Sequence, residues 1–168
     1  VFFPLLLFDG KHMIIDIKEK INYVSEKFEK KIHLVSKVSL VGEVLPNIQD
    51  VITKSKYKEY DTLITSCSLS KNKTVSDQLQ NYTNKLSASL DIKNKIFHFV
   101  GDEEAVLYEL KKLRVRNIIL HPIFFFNGFL FKKNVRYFEK YFKIMKILPL
   151  SHYDPVIQII SDKLIRNI

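Results

Sequence analysis

Two short apolar runs in this chain carry a proline at the same place, and that limits the folds it can adopt. Phe3-Pro4-Leu5-Leu6-Leu7-Phe8-Asp9-Gly10 aligns without gaps on His121-Pro122-Ile123-Phe124-Phe125-Phe126-Asn127-Gly128. Proline cannot donate to a strand ladder and is normally kept out of a sheet, so finding it twice in register points to a duplication. A second match follows. Leu45-Pro46-Asn47-Ile48-Gln49 pairs with Asp154-Pro155-Val156-Ile157-Gln158, and each proline is expected to open a helix after a strand. Residues 1–58 and roughly 118–168 therefore read as two copies of one strand–helix–strand–helix unit. Residues 60–117 add a strand–helix–strand–helix that only the second copy possesses.

The periodicity fills in the elements. Apolar runs predict strands at 1–8, 32–40, 60–65, 95–100, 117–126 and 143–148. Ile14, Ile17, Ile21, Val24 and Phe28 recur at steps of three and four, which marks one helix face. Ile48, Val51 and Ile52 mark a helix after Pro46, and Val75, Leu79, Tyr82, Leu86 and Leu90 mark another. Further helices are expected at 103–113, 130–142 and 155–167. This alternation predicts α/β architecture, with parallel sheets buried on both faces and flanked by helices. Gly10, Gly42, Gly101 and Gly128 are all expected just after strands. That edge is where open α/β sheets bind ligands, and glycine permits tight turns and close approach there.

Composition narrows the class. The chain has 168 residues, 46% of them hydrophobic, with 27 Lys+Arg against 18 Asp+Glu, a net charge of +9. Disordered, collagen-like and low-complexity classes are excluded. The length suits one average domain or two small lobes. A single cysteine, Cys67, excludes an intrachain disulfide and a zinc site built from several thiolates. It fits a reducing compartment, the cytoplasm or a plastid stroma. Lys far outnumbers Arg and Ile far outnumbers Ala, a bias that accompanies A/T-rich coding in plastids and low-GC microbes. The longest mostly apolar run, 118–131, is too short and interrupted to span a membrane. The apolar start lacks a basic region and a cleavage site, so it reads as a core strand rather than a signal peptide. It begins with Val, inside that strand, so the first copy is expected to lack its front half.

His12 is the sharpest candidate for chemistry. It follows the first strand, Asp9 and Gly10, and is expected to open the next helix. At about 100° per helical residue, His12 and Asp16 share a face turned away from Ile14, Ile17 and Ile21. An imidazole at a strand's C-terminal edge beside a carboxylate can accept a proton or bind a metal. The plain alternative is a solvent-facing histidine at a helix start. In the second copy His12 becomes Leu130 and Asp16 becomes Asn134, so any chemistry is one-sided. His33, His98 and His121 fall inside predicted strands and read as packing residues. His152, in the loop after the last strand, and Glu43, in the equivalent loop of the first copy, are lesser candidates for metal approach, set against exposed loop residues. Ser66 and Ser68, after the third strand, can donate hydrogen bonds to a carboxylate. No base stands beside Cys67, so a nucleophile is not indicated.

The lysines lie mostly on predicted helices and form a solvated face, which also raises the encounter rate with a polyanion. A nucleic-acid recognition motif is absent, and Phe97, Phe99, Phe124, Phe125 and Phe126 are expected to be buried in strands. There is no GxGxxG and no P-loop, and no organic cofactor is expected.

The stretch Pro4-Leu5-Leu6-Leu7-Phe8-Asp9-Gly10-Lys11-His12-Met13-Ile14-Ile15-Asp16-Ile17 resembles the second signature of the sirohydrochlorin chelatases, the CbiX-like class II chelatases. Residues 122–130 resemble that family's degenerate second-lobe version, in which the histidine is replaced. The expected helix starts at Pro46 and Pro155 also fit. Ile64-Thr65-Ser66-Cys67-Ser68 stands where the family has a Gly/Ser-rich turn, here without the glycines. The resemblance covers nearly the whole chain. It implies two similar α/β lobes facing each other across a tetrapyrrole cleft. Residues 1–58 would be the C-terminal half of an incomplete first lobe, and residues 59–168 the second lobe.

The activity implied is that of a lyase inserting Fe2+ or Co2+, the substrate metal, into sirohydrochlorin for siroheme or cobalamin synthesis. His12 matches the family's histidine that takes pyrrole N–H protons and helps deliver the metal. Asp16 would orient it, Glu43 and His152 would join it in metal approach, and Gly10, Ser66, Ser68 and Gly128 would contact the tetrapyrrole. A second family histidine, in a Gly-His-Gly turn, has no counterpart in these 168 residues. Sirohydrochlorin's carboxylates give a basic chain a reason to attract it. One imidazole with a nearby carboxylate leaves the metal an open position. The residues leave open iron against cobalt, and whether two chains pair as a homodimer to complete the cleft. Two rival readings stand beside it, a non-catalytic tetrapyrrole- or metal-binding module of the same fold and a basic nucleic-acid-binding α/β protein.

Overall fold

The computed structural model describes residues 6–8, 15–32 and 40–166. Among them lie α1 (Ile17–Phe28), α2 (Val41–Thr53), β1 (Thr62–Cys67), α3 (Lys73–Ser89), β2 (Asn94–Phe99), α4 (Glu103–Lys112), β3 (Asn117–Pro122), α5 (Phe129–Glu139), β4 (Lys143–Lys146) and α6 (Asp154–Ile165). The strands form one sheet in the order β2-β1-β3-β4, and every pairing is parallel. Parallel neighbours need a crossover, and α3, α4 and α5 supply them. The chain thus has the α/β architecture that its periodicity predicts.

Alternation along each strand sorts the side chains to two faces. Leu63, Cys67, Ile119, Phe97 and Met145 turn to one face, where they pack with Val44, Ile48, Leu79, Leu86 and Val156 of α2, α3 and α6. Ile64, Ile96, Ile118, Leu120 and Ile144 turn to the other, against Val106, Leu110, Val135 and Phe138 of α4 and α5. Burial on both sides is why these strands read as almost unbroken apolar runs. The helices carry local signals of their own. Asn72 caps α3 by accepting from the Thr74 N–H at 2.9 Å. Glu103 and Glu104 in the first turn of α4, and Lys111 and Lys112 in its last, match the helix dipole.

Several boundaries differ from the expectations. β3 stops at Pro122 rather than at 126. Leu120 O accepts from the Ile147 N–H at 2.9 Å, and the Ile123 N–H donates to Ser66 O at 2.7 Å. Even-numbered groups of β3 therefore face the β4 side, and the N–H that Pro122 lacks falls just beyond the end of β4. The Phe124 N–H then turns back to Pro122 O and the chain leaves the sheet. α2 begins at Val41, so Pro46 lies inside the helix rather than at its first turn. Gly42 and Glu43 are consequently helical, not loop residues. Pro155, by contrast, does stand at the start of α6. β1 runs through Ser66 and Cys67, which are strand residues rather than a turn after it. Of the strand expected at 1–8, residues 1–5 lie outside the described residues and 6–8 are not in a strand. Most of that expected at 32–40 also lies outside them, and Leu40 starts the first turn of α2, where its carbonyl accepts from the Val44 N–H.

Candidate functional site

Neighbouring strands β1 and β3 send their helices to opposite faces. α3 follows β1 and packs on one side, and α5 follows β3 and packs on the other. The two loops therefore diverge at the C-terminal edge, and such switch points are where open α/β sheets bind ligands. Ser68 is exposed at the head of the β1 loop, Gly128 is exposed at the end of the β3 loop, and Ser66 is buried beneath. Those three sequence candidates therefore share one edge. Gly128 has φ −84° and ψ −173°, the extended backbone that any residue adopts. A Cβ there would meet nothing within 4 Å, so the fold does not require glycine at this point.

Exposed apolar side chains surround the same edge. Leu69 follows β1, Phe126, Phe129 and Leu130 follow β3, and Leu148 follows β4. Phe126 is 65% and Phe129 79% exposed. An apolar patch on adjacent loops, rimmed by polar residues, marks a binding surface. Lys71, Lys132 and Lys133, all exposed, add positive charge on the same segments. Phe126 corrects the expectation that the aromatic run is buried. Phe125 is buried, but the Asn127-Gly128 turn signal ends the run before Phe126 reaches the core.

Beneath this edge lies a buried polar network that sequence reasoning missed. The Ser66 hydroxyl donates to Asn134 Oδ1 at 2.9 Å. Asn134 Nδ2 lies 3.4 Å from both His98 Nε2 and Glu103 Oε1. The Gly101 N–H donates to Glu103 Oε2 at 3.0 Å. Burial holds the His98 imidazole below its ordinary pKa, opposed by its bond to Phe99 O and by the charges of Glu103 and Asp102. The one available signal was the replacement of Asp16 by Asn134 between the repeats.

The other candidates are dispersed. Gly10 and His12 lie outside the described residues, as does His33. Asp16 is half-buried at the N-terminal boundary of α1. Glu43 pairs with Lys163 of α6 at 2.8 Å. His152 is exposed in a short helical turn before α6. Among the described residues no three His, Cys, Asp or Glu side chains converge to hold a metal ion. His98 and His121 are buried, as their strand positions predict. Burial pushes the Cys67 thiol up to about 12, which keeps it protonated and a poor nucleophile.

No protein-family model matches this sequence, and neither does any curated protein. Among solved structures, the chain is similar to the sirohydrochlorin chelatase SirB from Bacillus subtilis subspecies spizizenii, solved in complex with cobalt. The TM-score is 0.63 at 18% sequence identity, over 86% of this chain and 59% of that one. The two chains share one fold. The chain spans 59% of the length of that chelatase. At such low identity the likeness is one of fold, and a fold does not by itself carry a function. No helix among the described residues is long and apolar enough to cross a membrane.

Proposed function

We propose that the chain acts as a sirohydrochlorin chelatase, inserting a divalent metal, Fe2+ or Co2+, into the tetrapyrrole for siroheme or cobalamin synthesis. The observation that carries this reading is that two separate likenesses converge on one family. One is the signature at residues 4–17, and the other is a fold shared with a cobalt-bound sirohydrochlorin chelatase. In this reading residues 1–58 belong to a first lobe and residues 59–168 form the second. The exposed apolar rim at the sheet edge suits the flat face of a macrocycle, and the net charge of +9 suits its carboxylates. Pairing of two chains would complete the cleft. The setting is the cytoplasm or a plastid stroma.

Insertion exchanges two pyrrole N–H protons for one dication, so a base must stand at the ring as the metal enters. His12 takes that role, accepting a proton at an imidazole nitrogen and guiding the metal, with Asp16 orienting the ring. Glu43 joins only by exchanging its partner Lys163 for the incoming cation. His152 is exposed and needs no such exchange.

The test is anaerobic insertion of Co2+ or Fe2+ into sirohydrochlorin, followed by the tetrapyrrole absorbance. The wild-type chain is expected to exceed the uncatalysed rate. His12→Ala is expected to bind the tetrapyrrole and to lose insertion by about a hundredfold or more. Full insertion by that variant would refute the role of His12. Tetrapyrrole binding without any insertion by the wild type would make the chain a binding module. Salt-dependent binding of DNA or RNA without tetrapyrrole binding would overturn the reading altogether.

A further inference from the structure

We infer that Asn134 ties the start of α4 to α5 only while His98 is uncharged. The inference goes beyond the chelatase reading and does not depend on it.

Asn134 reaches from α5 to three other elements, Ser66 on β1, His98 on β2 and Glu103 at the start of α4. None of the four residues is more than 5% exposed. In such a place each donor has to find an acceptor, and the arrangement fixes who donates. His98 Nδ1 lies 2.9 Å from Phe99 O. A carbonyl only accepts, so Nδ1 carries the hydrogen and Nε2 is left as a bare acceptor. That acceptor receives one amide hydrogen of Asn134, and Glu103 Oε1 receives the other.

A proton added to His98 would go on Nε2, where it would face the amide NH2 donor to donor. Rotating the amide by half a turn relieves that contact by presenting Oδ1 to the imidazolium. Ser66 tolerates the rotation, because a hydroxyl accepts as readily as it donates. Glu103 does not, because the amide oxygen would then face a carboxylate oxygen. Protonation therefore detaches Asn134 from Glu103. Glu103 is the first residue of α4, and its other oxygen holds the Gly101 N–H. Gly101 itself sits at φ +125°, a conformation that side-chain-bearing residues rarely adopt. The β2–α4 turn thus loses its tie to α5 when the imidazole charges.

The charges acting on His98 are those of Glu103 and Asp102, both from the start of α4. β1 and α5 present it with uncharged groups, Ser66, Asn134 and the Phe138 ring, whose centroid lies 5.6 Å away. The same geometry explains an asymmetry between the repeats. Asp at position 134, as at its counterpart Asp16, would set a second buried carboxylate against Glu103.

The experiment is an NMR titration of the whole 15N-labelled chain from about pH 8 to pH 4. It follows the His98 ring nitrogens, the Asn134 side-chain NH2 and the Gly101 amide. The expected result has three parts. The Nδ1–H tautomer is present at neutral pH. One shared one-proton curve with a midpoint below the ordinary value of about 6.5 connects all three groups. Gly101 protection, its hydrogen exchange compared with an unstructured amide at the same pH, falls on the acid side of that midpoint. His98→Gln should abolish the curve. An Nε2–H tautomer would overturn the inference, and that reading needs only the wild type, so it holds even if the variant does not fold. It would also be overturned by a His98 ring that stays neutral until the chain unfolds, by a flat Gly101 response while His98 titrates, or by a curve that persists in His98→Gln.

Discussion

Beyond any effect of His98, mild acid should loosen this fold through a second buried side chain, His121. It lies in β3, fully buried, with Nε2 3.0 Å from the Tyr82 hydroxyl and Nδ1 without a partner among the described residues. An imidazolium there would carry one N–H with nowhere to donate, far from water. Burial accordingly lowers its pKa from 6.5 to about 3. Between those two values the unfolded chain binds a proton that the folded chain refuses. The stability tied to a neutral His121 is therefore fully present above pH 6.5, and it is lost progressively as the pH falls toward about 3. At 1.36 kcal/mol per pKa unit, the loss is about 2 kcal/mol between pH 7 and pH 5, and about 3 kcal/mol by pH 4. Urea unfolding of the wild type and of His121→Gln, measured at several pH values, isolates this contribution. His98 titrates in both chains and cancels in the difference. The glutamine variant starts from its own baseline at neutral pH but should fall less steeply, by about 2 kcal/mol less at pH 5. Parallel curves, within about 0.5 kcal/mol, would refute the argument that His121 is folded in its neutral form.

Two further substitutions probe the edge and the helix before it. Gly128→Ser places a hydroxyl at the start of α5, where the backbone is already extended and space is open, so urea unfolding should show a gain of a few tenths of a kcal/mol. If Gly128 lets a tetrapyrrole approach closely, the same variant should bind sirohydrochlorin more weakly, by fluorescence titration. A loss of stability above about 1 kcal/mol would instead show that the fold needs the glycine. Pro46→Ala restores an amide inside α2, opposite the Gly42 carbonyl, and calorimetry should show stabilisation of about 1 kcal/mol or more. A lower melting temperature would mean that the proline is required for how α2 seats on α3 and α6.

The architecture was legible because both faces of the sheet are covered. Strands such as Ile118-Ile119-Leu120 had no polar face to confuse the pattern, and the helices between them showed a clean period. His98 and His121 were readable as interior residues for the same reason. Boundaries set by single hydrogen bonds were not legible. Pro46 carries the signal of a helix start, yet α2 opens at Val41 because Leu40 already supplies the first carbonyl. Pro122 sits in an apolar run that continues to Phe126, and only the end of β4 shows why the strand stops there. The Ser66, His98, Glu103 and Asn134 network was hidden for a different reason. Its members come from four elements spread over residues 66–134, and no local period ties them together.

The outer strands of the described sheet also bear on how copies of this chain can meet. β4 is four residues long and carries exposed Lys143 and Lys146, and β2 carries exposed Asn94 and Lys95. A neighbour laid alongside either strand would have to strip water from those ammonium groups before gaining a single ladder bond, a recognised defence against edge-to-edge growth. Self-association should therefore run through loop tips and helix flanks, and the chain should resist fibrillar stacking even when crowded.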